Sequence, residues 1–343
     1  MSAFRDYAYL NARVSVLATQ LLSESHLNTL LNQSTCQLGI PYLDELLSDN
    51  QTELSLIEHA WFLHLIADVK ILIRPLSGIA RDLLMYWFHK CEITNLKSII
   101  RGKIAGLDTK IIKNQLIELG ELATLPIEQL LHTEDINELL RQLEGSHYGN
   151  IARQARRVFE KEHYSYSLDA AIDKHYLFGL EQKIKSLDTQ QYRPIIPLIR
   201  ALLDRFNLIW LLRYRFAYHL SSAETFYLLI STPYRLNHHR LLQLVELNSL
   251  QEVLNALPEP LMTLLNQAKN TFEVEQCLNT EVRRVAQQTL SQCHFTFAKV
   301  FAYLLLRELE MRRVLAIIKG KRLGLKPDVI SMAADAYSPI LMV

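Results

Sequence analysis

Two pairs of acidic and imidazole side chains have a spacing that could bind a metal ion. Glu144-x-x-His147 and Glu160-x-x-His163 both match the Glu-x-x-His arrangement of di-iron helical bundles. Glycines on either side of His147 interrupt the first pair and predict a loop there. A carboxylate bundle also needs inward-facing glutamates on two further helices, and no apolar stripe carries one. A helical metalloenzyme that uses Glu160 and His163 therefore stays an alternative, and we predict no metal and no cofactor.

Two Gly-Lys pairs could suggest a phosphate-binding loop. Gly102-Lys103 and Gly320-Lys321 follow apolar helical patterns, so they lie at the negative end of a helix dipole, whereas phosphate binds at the N-terminus. The lysines are followed by Ile and Arg, which excludes a Walker motif. Gly324 followed by Pro327 predicts a helix end instead. Since no nucleophile elbow or dinucleotide fingerprint occurs either, we predict no catalytic residues and no small-molecule substrate.

The elements that carry these residues are predicted to be helices. The chain has 343 residues, of which 49% are hydrophobic and only 10 are glycine. Apolar residues recur at helical spacing, as in the run from Ile195 to Phe206, and strand-like alternation is rare. The formal net charge of +1 gives no general attraction to nucleic acid. No apolar stretch is long enough to cross a membrane, and the four cysteines form no C-x-x-C pair. We predict an all-α protein of the cytoplasm.

An internal repeat organises the sequence. One pattern recurs in Glu92–Lys103, Asp204–Arg215 and Glu310–Lys321. It consists of an acidic residue, an amide or base three positions later, three apolar positions and two further bases. A weaker upstream pattern of apolar residues and an amide also occurs three times, from Leu27, Ile136 and Leu250. The period exceeds that of tetratricopeptide or HEAT repeats. We therefore predict three similar helical lobes, which span residues 1–122, 123–233 and 234–343.

Helical geometry predicts which side chains of the repeat share a face. Each residue advances by about 100°, so Glu92, Asn95 and Lys103 lie on one stripe and Arg101 lies on the opposite side. Such a stripe favours a contact between packed elements: the charges pair within or between lobes, or they contact a partner directly. The candidate contact residues are Glu92, Asn95, Arg101, Lys103, Asp204, Asn207, Arg213, Arg215, Glu310, Arg313, Lys319 and Lys321.

These residues give the chain a family resemblance. The segments Tyr9–Arg13, Asn95–Lys103, Asp204–Leu208 and Glu308–Lys321 resemble the C subunit of V/A-type ATPases, which is related to the d subunit of V-ATPases. The resemblance implies a funnel of three helical lobes without catalytic residues. It further implies a place in the central stalk, peripheral to the membrane, between the shaft subunits (D/F-like) and the cytoplasmic face of the membrane proteolipid ring.

Two positions depart from the repeat. The third copy has Arg313 where the others have Asn, and the second has Tyr214 where the others have Gly. We therefore expect three lobes that are not equivalent, around an opening lined by charged side chains. The alternative from a different class is a helical scaffold unrelated to ATPases.

Overall fold

The computed structural model describes the backbone of residues 2–32, 44–45, 47, 53–162 and 165–336. Within these ranges it describes the side chains from Tyr7 to Asp335, with the exception of residues 161–166. Over this part of the chain the structure is all-α, which confirms the predicted fold class; an isolated bridge joins Thr232 and Asn237, and the described residues form no strand. The helices are α1 Ser2–Ala18, α2 Glu24–Asn32, α3 Leu54–Ile73, α4 Gly78–Phe88, α5 Lys90–Ile104, α6 Thr109–Asn114, α7 Ile127–Leu131, α8 Ile136–Leu143, α9 Gly149–Glu162, α10 Ser165–Lys185, α11 Thr189–Leu212, α12 Ser222–Leu228, α13 His238–Val245, α14 Leu250–Asn255, α15 Leu261–Leu265, α16 Thr271–Gln292, α17 Phe297–Arg322 and α18 Pro327–Ala336.

Short polar side chains fix where several of these helices begin. Each accepts a hydrogen bond from a backbone N–H of the first turn, which has no partner within the helix. In α16, for example, Asn270 accepts from the N–H of Glu273 at 2.9 Å, and the Glu273 carboxylate accepts in return from the N–H of Lys269. The capping residues of this kind are Asp108, Asp135, Asp188, Asn237, Ser249 and Asn270.

Three long core helices carry the repeated pattern. Helices α5, α11 and α17 are buried around most of their circumference, including positions occupied by charged residues. A helix that is apolar on all sides has to be enclosed by other elements. Polar groups that such a helix carries must then find partners within the fold. The repeat therefore lies where unpaired charges cost the most free energy.

The described residues divide into two compact units. The large unit comprises the chain up to Arg81, Leu187–Phe226 and the chain from Ser231, and the small unit comprises Asp82–Ser186 with Tyr227–Ile230. In the small unit α9 packs on α10 and α8, and α5 packs on α6, α8 and α10. In the large unit α17 packs on α1, α3, α11, α16 and α18. The division into three lobes at 1–122, 123–233 and 234–343 stays a prediction.

No helix among the described residues combines the length and the apolar character needed to span a lipid bilayer.

Candidate functional site

The first repeated carboxylate, Glu92, is buried in the first turn of α5 and fastens the chain that enters α7. It accepts hydrogen bonds from the backbone N–H groups of Thr124 and Leu125 and from the Thr124 hydroxyl at 2.7 Å. The Tyr148 hydroxyl donates to the same carboxylate. Burial and the Glu92 carboxylate together raise the pKa of Tyr148, which keeps its proton available for this bond. A carboxylate that accepts four hydrogen bonds is well satisfied without water.

Two further side chains of the same stripe bind backbone groups. The Asn95 amide donates to the carbonyl of Ile117 at 2.8 Å and accepts from its N–H at 2.7 Å. The Lys103 ammonium donates to the carbonyls of Leu131 and Thr133 at 3.0 and 2.6 Å. Glu92, Asn95 and Lys103 therefore hold the chain between Ile117 and Thr133 against α5, on the single face that the helical spacing predicts.

The opposite side of α5 pairs with acids of α10. Lys97 donates to both carboxylate oxygens of Asp173 at 2.8 and 2.9 Å, and both side chains are buried. Arg101, 180° from the Glu92 stripe, donates to Asp169 from Nε at 2.8 Å. Lys97 is not among the candidate residues of the repeat, because the other copies have Ile209 and Leu315 at its position.

The second repeated carboxylate, Asp204 in α11, is equally buried but less well paired. Neither of its oxygens has a hydrogen bond to the described residues, and the nearest cation, Arg235, is 3.7 Å away. Burial raises the pKa of Asp204 to about 6. The Arg235 cation and the Leu236 backbone have the opposite effect on this pKa, although the Asp204 oxygens are not in hydrogen-bond geometry with Leu236. Leu236 follows Asp204 by 32 residues, as Thr124 follows Glu92. The chain that Asp204 faces leads into α13.

The rest of the second copy contacts α16 and its own helix end. Arg205 is fully buried and donates to Asn279 at 2.5 Å and to Glu275 at 2.9 Å, and Arg213 reaches Glu275 at 3.3 Å. Arg215 donates to the carbonyl of Leu220 at 2.7 Å. Asn207 is also buried in the core of the large unit.

The third repeated carboxylate, Glu310 in α17, fastens the chain that enters α2. It accepts a hydrogen bond from the backbone N–H of Leu22 and another from Arg307 at 2.7 Å, while burial raises its pKa. Arg313, which replaces the amide of the other copies, binds both carboxylate oxygens of Glu24 at 2.7 and 3.0 Å. This ion pair lowers the pKa of Glu24. Toward the end of α17, Lys319 is exposed and Lys321 is half-buried.

The three acids thus lie opposite equivalent segments in the described fold, and two of them bind these segments by hydrogen bonds. Glu92 holds Thr124 and Leu125, three and two residues before α7; Glu310 holds Leu22, two residues before α2; and Asp204 faces Leu236, two residues before α13. The sequence could not predict the partners of these acids, because almost every residue has a backbone N–H and the residue type does not show which N–H will be used.

A buried polar cluster next to Glu310 was also missed. The Tyr303 hydroxyl and the Arg307 guanidinium donate to Asp68 of α3 at 2.7 and 3.4 Å, and Arg307 also donates to His64. Burial and the Arg307 cation lower the pKa of His64, so the imidazole stays neutral and accepts this bond. The cluster ties α17 to α3 and involves no group of the predicted repeat except Glu310.

A cavity of about 180 Å³ lies beside Glu310 in the large unit. Its walls combine leucine side chains with two arginines, Arg283 and Arg313, whose guanidinium groups are paired with Glu24 and Asp335. Because these charges neutralise one another, the cavity offers no unpaired cation to an anionic ligand.

The metal-binding alternative gains no geometric support from the described residues. Glu144 and His147 flank the turn between α8 and α9, as the glycines predict, and Glu144 pairs with Arg156 at 3.1 Å. Glu160 lies 3.7 Å from the same arginine, and His163 lies outside the described residues. No group of three or more His, Cys, Asp or Glu side chains in the described part of the chain is placed to hold a metal ion.

In the described part of this all-helical fold, most of the repeated charges bind groups of the same chain. A profile of the ATP synthase (C/AC39) subunit family matches residues 10–332, and the chain therefore belongs to this family. This result confirms the resemblance that the repeated segments carry.

Three archaeal relatives illustrate the similarity along the chain, and each is the C subunit of an A-type ATP synthase. The Methanocaldococcus jannaschii protein is 25% identical over 94% of this chain and 85% of its own length. The Methanothermobacter thermautotrophicus protein is 24% identical over 92% of this chain and 84% of its own. The Haloquadratum walsbyi protein is 23% identical over 94% and 96%. The relatives of this chain are thus subunits of a rotary ATPase.

Proposed function

We propose that this chain is a non-catalytic central-stalk subunit of a rotary V/A-type ATPase. It couples a central shaft, made of D/F-like subunits, to the cytoplasmic face of the membrane proteolipid ring, and it is peripheral to the membrane. ATP hydrolysis or synthesis takes place in other subunits, and ion movement takes place in the ring. The observation that carries the proposal is the family match over residues 10–332.

The internal fastening of the chain supports this role mechanically. A protein that links a shaft to a ring has to transmit torque without deforming, and close-packed helical interiors have low compressibility. Buried bonds from Glu92 and Glu310 tie the chain before α7 and α2 to core helices. These contacts join segments distant in sequence, so a load on one segment passes directly to a core helix.

The same repeat supports the predicted architecture. Three similar lobes, at residues 1–122, 123–233 and 234–343, would form a funnel with charged residues around its opening, and the shaft tip would enter that opening. The third lobe would differ from the others because Arg313 forms ion pairs with Glu24 and Asp335 where an amide stands in the other copies.

Co-assembly tests this proposal. The purified chain is mixed in separate experiments with a coexpressed shaft subunit pair and with the detergent-solubilised ring of the same organism, and complexes are measured by size-exclusion chromatography. We expect stable complexes with both, and no ATPase activity from the chain alone. Absence of both complexes would contradict the proposal, as would stoichiometric iron or manganese in the purified protein.

A further inference from the structure

The cavity beside Glu310 lies between two packed helices and the chain that enters α2. Helices α16 and α17 each turn one face to it, through positions 283, 287, 290 and 291 of α16 and positions 306, 309, 310 and 313 of α17. Spacings of three, four and seven residues place side chains on the same side of a helix. Residues between positions 21 and 27 form the third wall. All three walls belong to the large unit.

Leucine side chains dominate these walls. Six of the twelve described residues that line the cavity are leucines, and they come from all three walls. They are Leu21, Leu22, Leu27, Leu290, Leu306 and Leu309. Leu27, Leu306 and Leu309 are buried, and the other three are half-buried. Aliphatic walls offer dispersion contacts but no hydrogen bonds, so they favour an apolar occupant over water.

The two arginines of the walls are neutralised by acids of the same chain. Arg283 and Arg313 each lie within 3.2 Å of both Glu24 and Asp335, measured between nitrogen and oxygen atoms. Two cations and two anions therefore balance in one network. A charged ligand would have to break these ion pairs in order to form its own, so the network favours an uncharged ligand.

Two further polar groups of the walls are also bonded within the chain. The Glu310 carboxylate accepts hydrogen bonds from the N–H of Leu22 and from Arg307. The Ser291 hydroxyl donates to the carbonyl of Gln288 at 3.0 Å. A water molecule in a buried space needs two to four polar partners, and these groups are already engaged with other groups of the protein. Water therefore competes weakly with an apolar molecule for this space.

The size of the cavity limits what it can hold. Its volume is about 180 Å³, and a cavity of about 150 Å³ with similar apolar walls, engineered into another protein, binds benzene. The space thus accommodates one aromatic ring or an aliphatic group of similar size. Gln287 and Ser291 are exposed, so the cavity reaches the surface on this side of α16 and a ligand has a way in.

We propose that this cavity is a binding site for a small uncharged apolar molecule about the size of one aromatic ring. Helix α2 buries only Leu27 and Leu30 of its nine residues, so it is the wall that yields most easily as the ligand enters. Once bound, the ligand adds contacts to Leu27 and to the two leucines before α2, and it thereby holds this segment more firmly on α16 and α17. The inference goes beyond the central-stalk role and does not depend on the shaft or the ring.

A titration of the full chain with benzene tests the site. The leucine methyl groups are isotopically labelled, and their resonances are followed by NMR. We expect saturable shifts at Leu27, Leu290, Leu306 and Leu309, together with a rise in melting temperature, because a ligand that binds only the native state stabilises it. Sodium benzoate carries the same ring with a negative charge and is expected not to bind. Absence of benzene shifts at these four leucines would overturn the proposal, as would tighter binding of benzoate than of benzene.

Filling the cavity provides a second test. Leu290→Trp places a large ring at a lining position of α16 and is expected to weaken benzene binding about ten-fold or more. Leu242→Trp, at a 39% exposed position of α13 that does not line the cavity, is the matched control and is expected to bind benzene like the wild type. Wild-type affinity in a folded Leu290→Trp variant would reject the site. If this variant does not fold, the methyl shifts of the wild-type chain decide.

Discussion

Glu92 in the small unit and Asp204 in the large unit stand at the same position of the repeat, and each is 1% exposed. Glu92 accepts four hydrogen bonds, among them those of Thr124 and Leu125, whereas the oxygens of Asp204 have none from the described residues. The Asp204 side chain is one methylene group shorter, and it faces Leu236 without closing the bond. Equal burial and equal sequence position therefore do not give equal hydrogen bonding of the two buried carboxylates.

The largest effect is expected when the well-bonded acid is removed. Glu92→Ala leaves the N–H groups of Thr124 and Leu125 and the Tyr148 hydroxyl buried without their acceptor. Breaking a buried charged network by removing one member costs about 3–5 kcal/mol of unfolding free energy. Urea unfolding of the whole chain measures the loss, and Asp82→Ala, at an exposed acid of the same unit, is the control. A loss below about 1 kcal/mol would contradict the role of Glu92.

The poorly bonded acid is expected to behave in the opposite way. Its native pKa of about 6 lies above the ordinary aspartate value of 3.8, so the native state holds the proton more tightly than the unfolded state. Asp204 by itself therefore contributes a loss of stability of about 3 kcal/mol as the pH rises from about 4 to about 6. Asp204→Asn lacks this titration, so it should match the wild type near pH 4 and exceed it in stability at about pH 7.5.

Thermal melts of both proteins across this pH range measure the difference. Glu58→Gln, which removes an exposed acid of the large unit, is the control variant. If the Asp204→Asn variant is less stable than the wild type at the higher pH, then Asp204 is well paired after all.

A third test concerns the glycine that the second copy lacks. Gly102→Ala places a methyl group 2.5 Å from the Ile112 side chain, and overpacking of this kind costs about 1–3 kcal/mol. Removing the clashing atoms in Gly102→Ala with Ile112→Ala should recover part of the loss beyond the sum of the single effects, because Cγ1 and Cδ1 of Ile112 are the atoms that the added methyl group would meet. Tyr214 occupies the corresponding position in the second copy, where the smaller Thr225 replaces the isoleucine. Additive effects in a double-mutant cycle would disprove the contact.

The smallest effect is expected from lengthening the short acid. Asp204→Glu supplies the missing methylene group and brings the carboxylate closer to the N–H of Leu236. One new hydrogen bond to a buried charge is worth about 1–2 kcal/mol at neutral pH. Chemical unfolding at about pH 7.5 measures the gain, since the carboxylate is then ionised. Lower stability of the Asp204→Glu variant would mean that local packing, and not reach, keeps Asp204 from its partner.

The sequence predicts the helices well because apolar periodicity is a local property. The run from Ile195 to Phe206 is helical and largely buried as its spacing requires, and Gly324 ends α17 as expected. Helical geometry also places Glu92, Asn95 and Lys103 together, and Arg101 opposite. These features depend on residues that lie within a few helical turns of one another, so single-sequence patterns contain them.

The partners of the repeat could not be predicted in the same way. Lys97 meets Asp173 and Arg205 meets Glu275 across 76 and 70 residues, and single acids at such distances leave no periodic signal. The main partner of Glu310 is the N–H of Leu22, a group that every residue except proline has. The π-helical turn at Arg213–Ala217 could not be predicted either, because the copies align through Arg215 and Tyr214 in place of glycine shows only that this helix ends differently.

The most direct measurement concerns coupling in the complete ATPase. Purified complexes with and without this chain are compared for ATP hydrolysis in solution and for ATP-driven ion uptake after reconstitution into vesicles. A non-catalytic link between shaft and ring predicts that complexes without the chain still hydrolyse ATP but take up no ions, and that adding the chain back restores uptake. Full ion uptake without the chain, or loss of ATP hydrolysis by the isolated head when the chain is absent, would contradict the account.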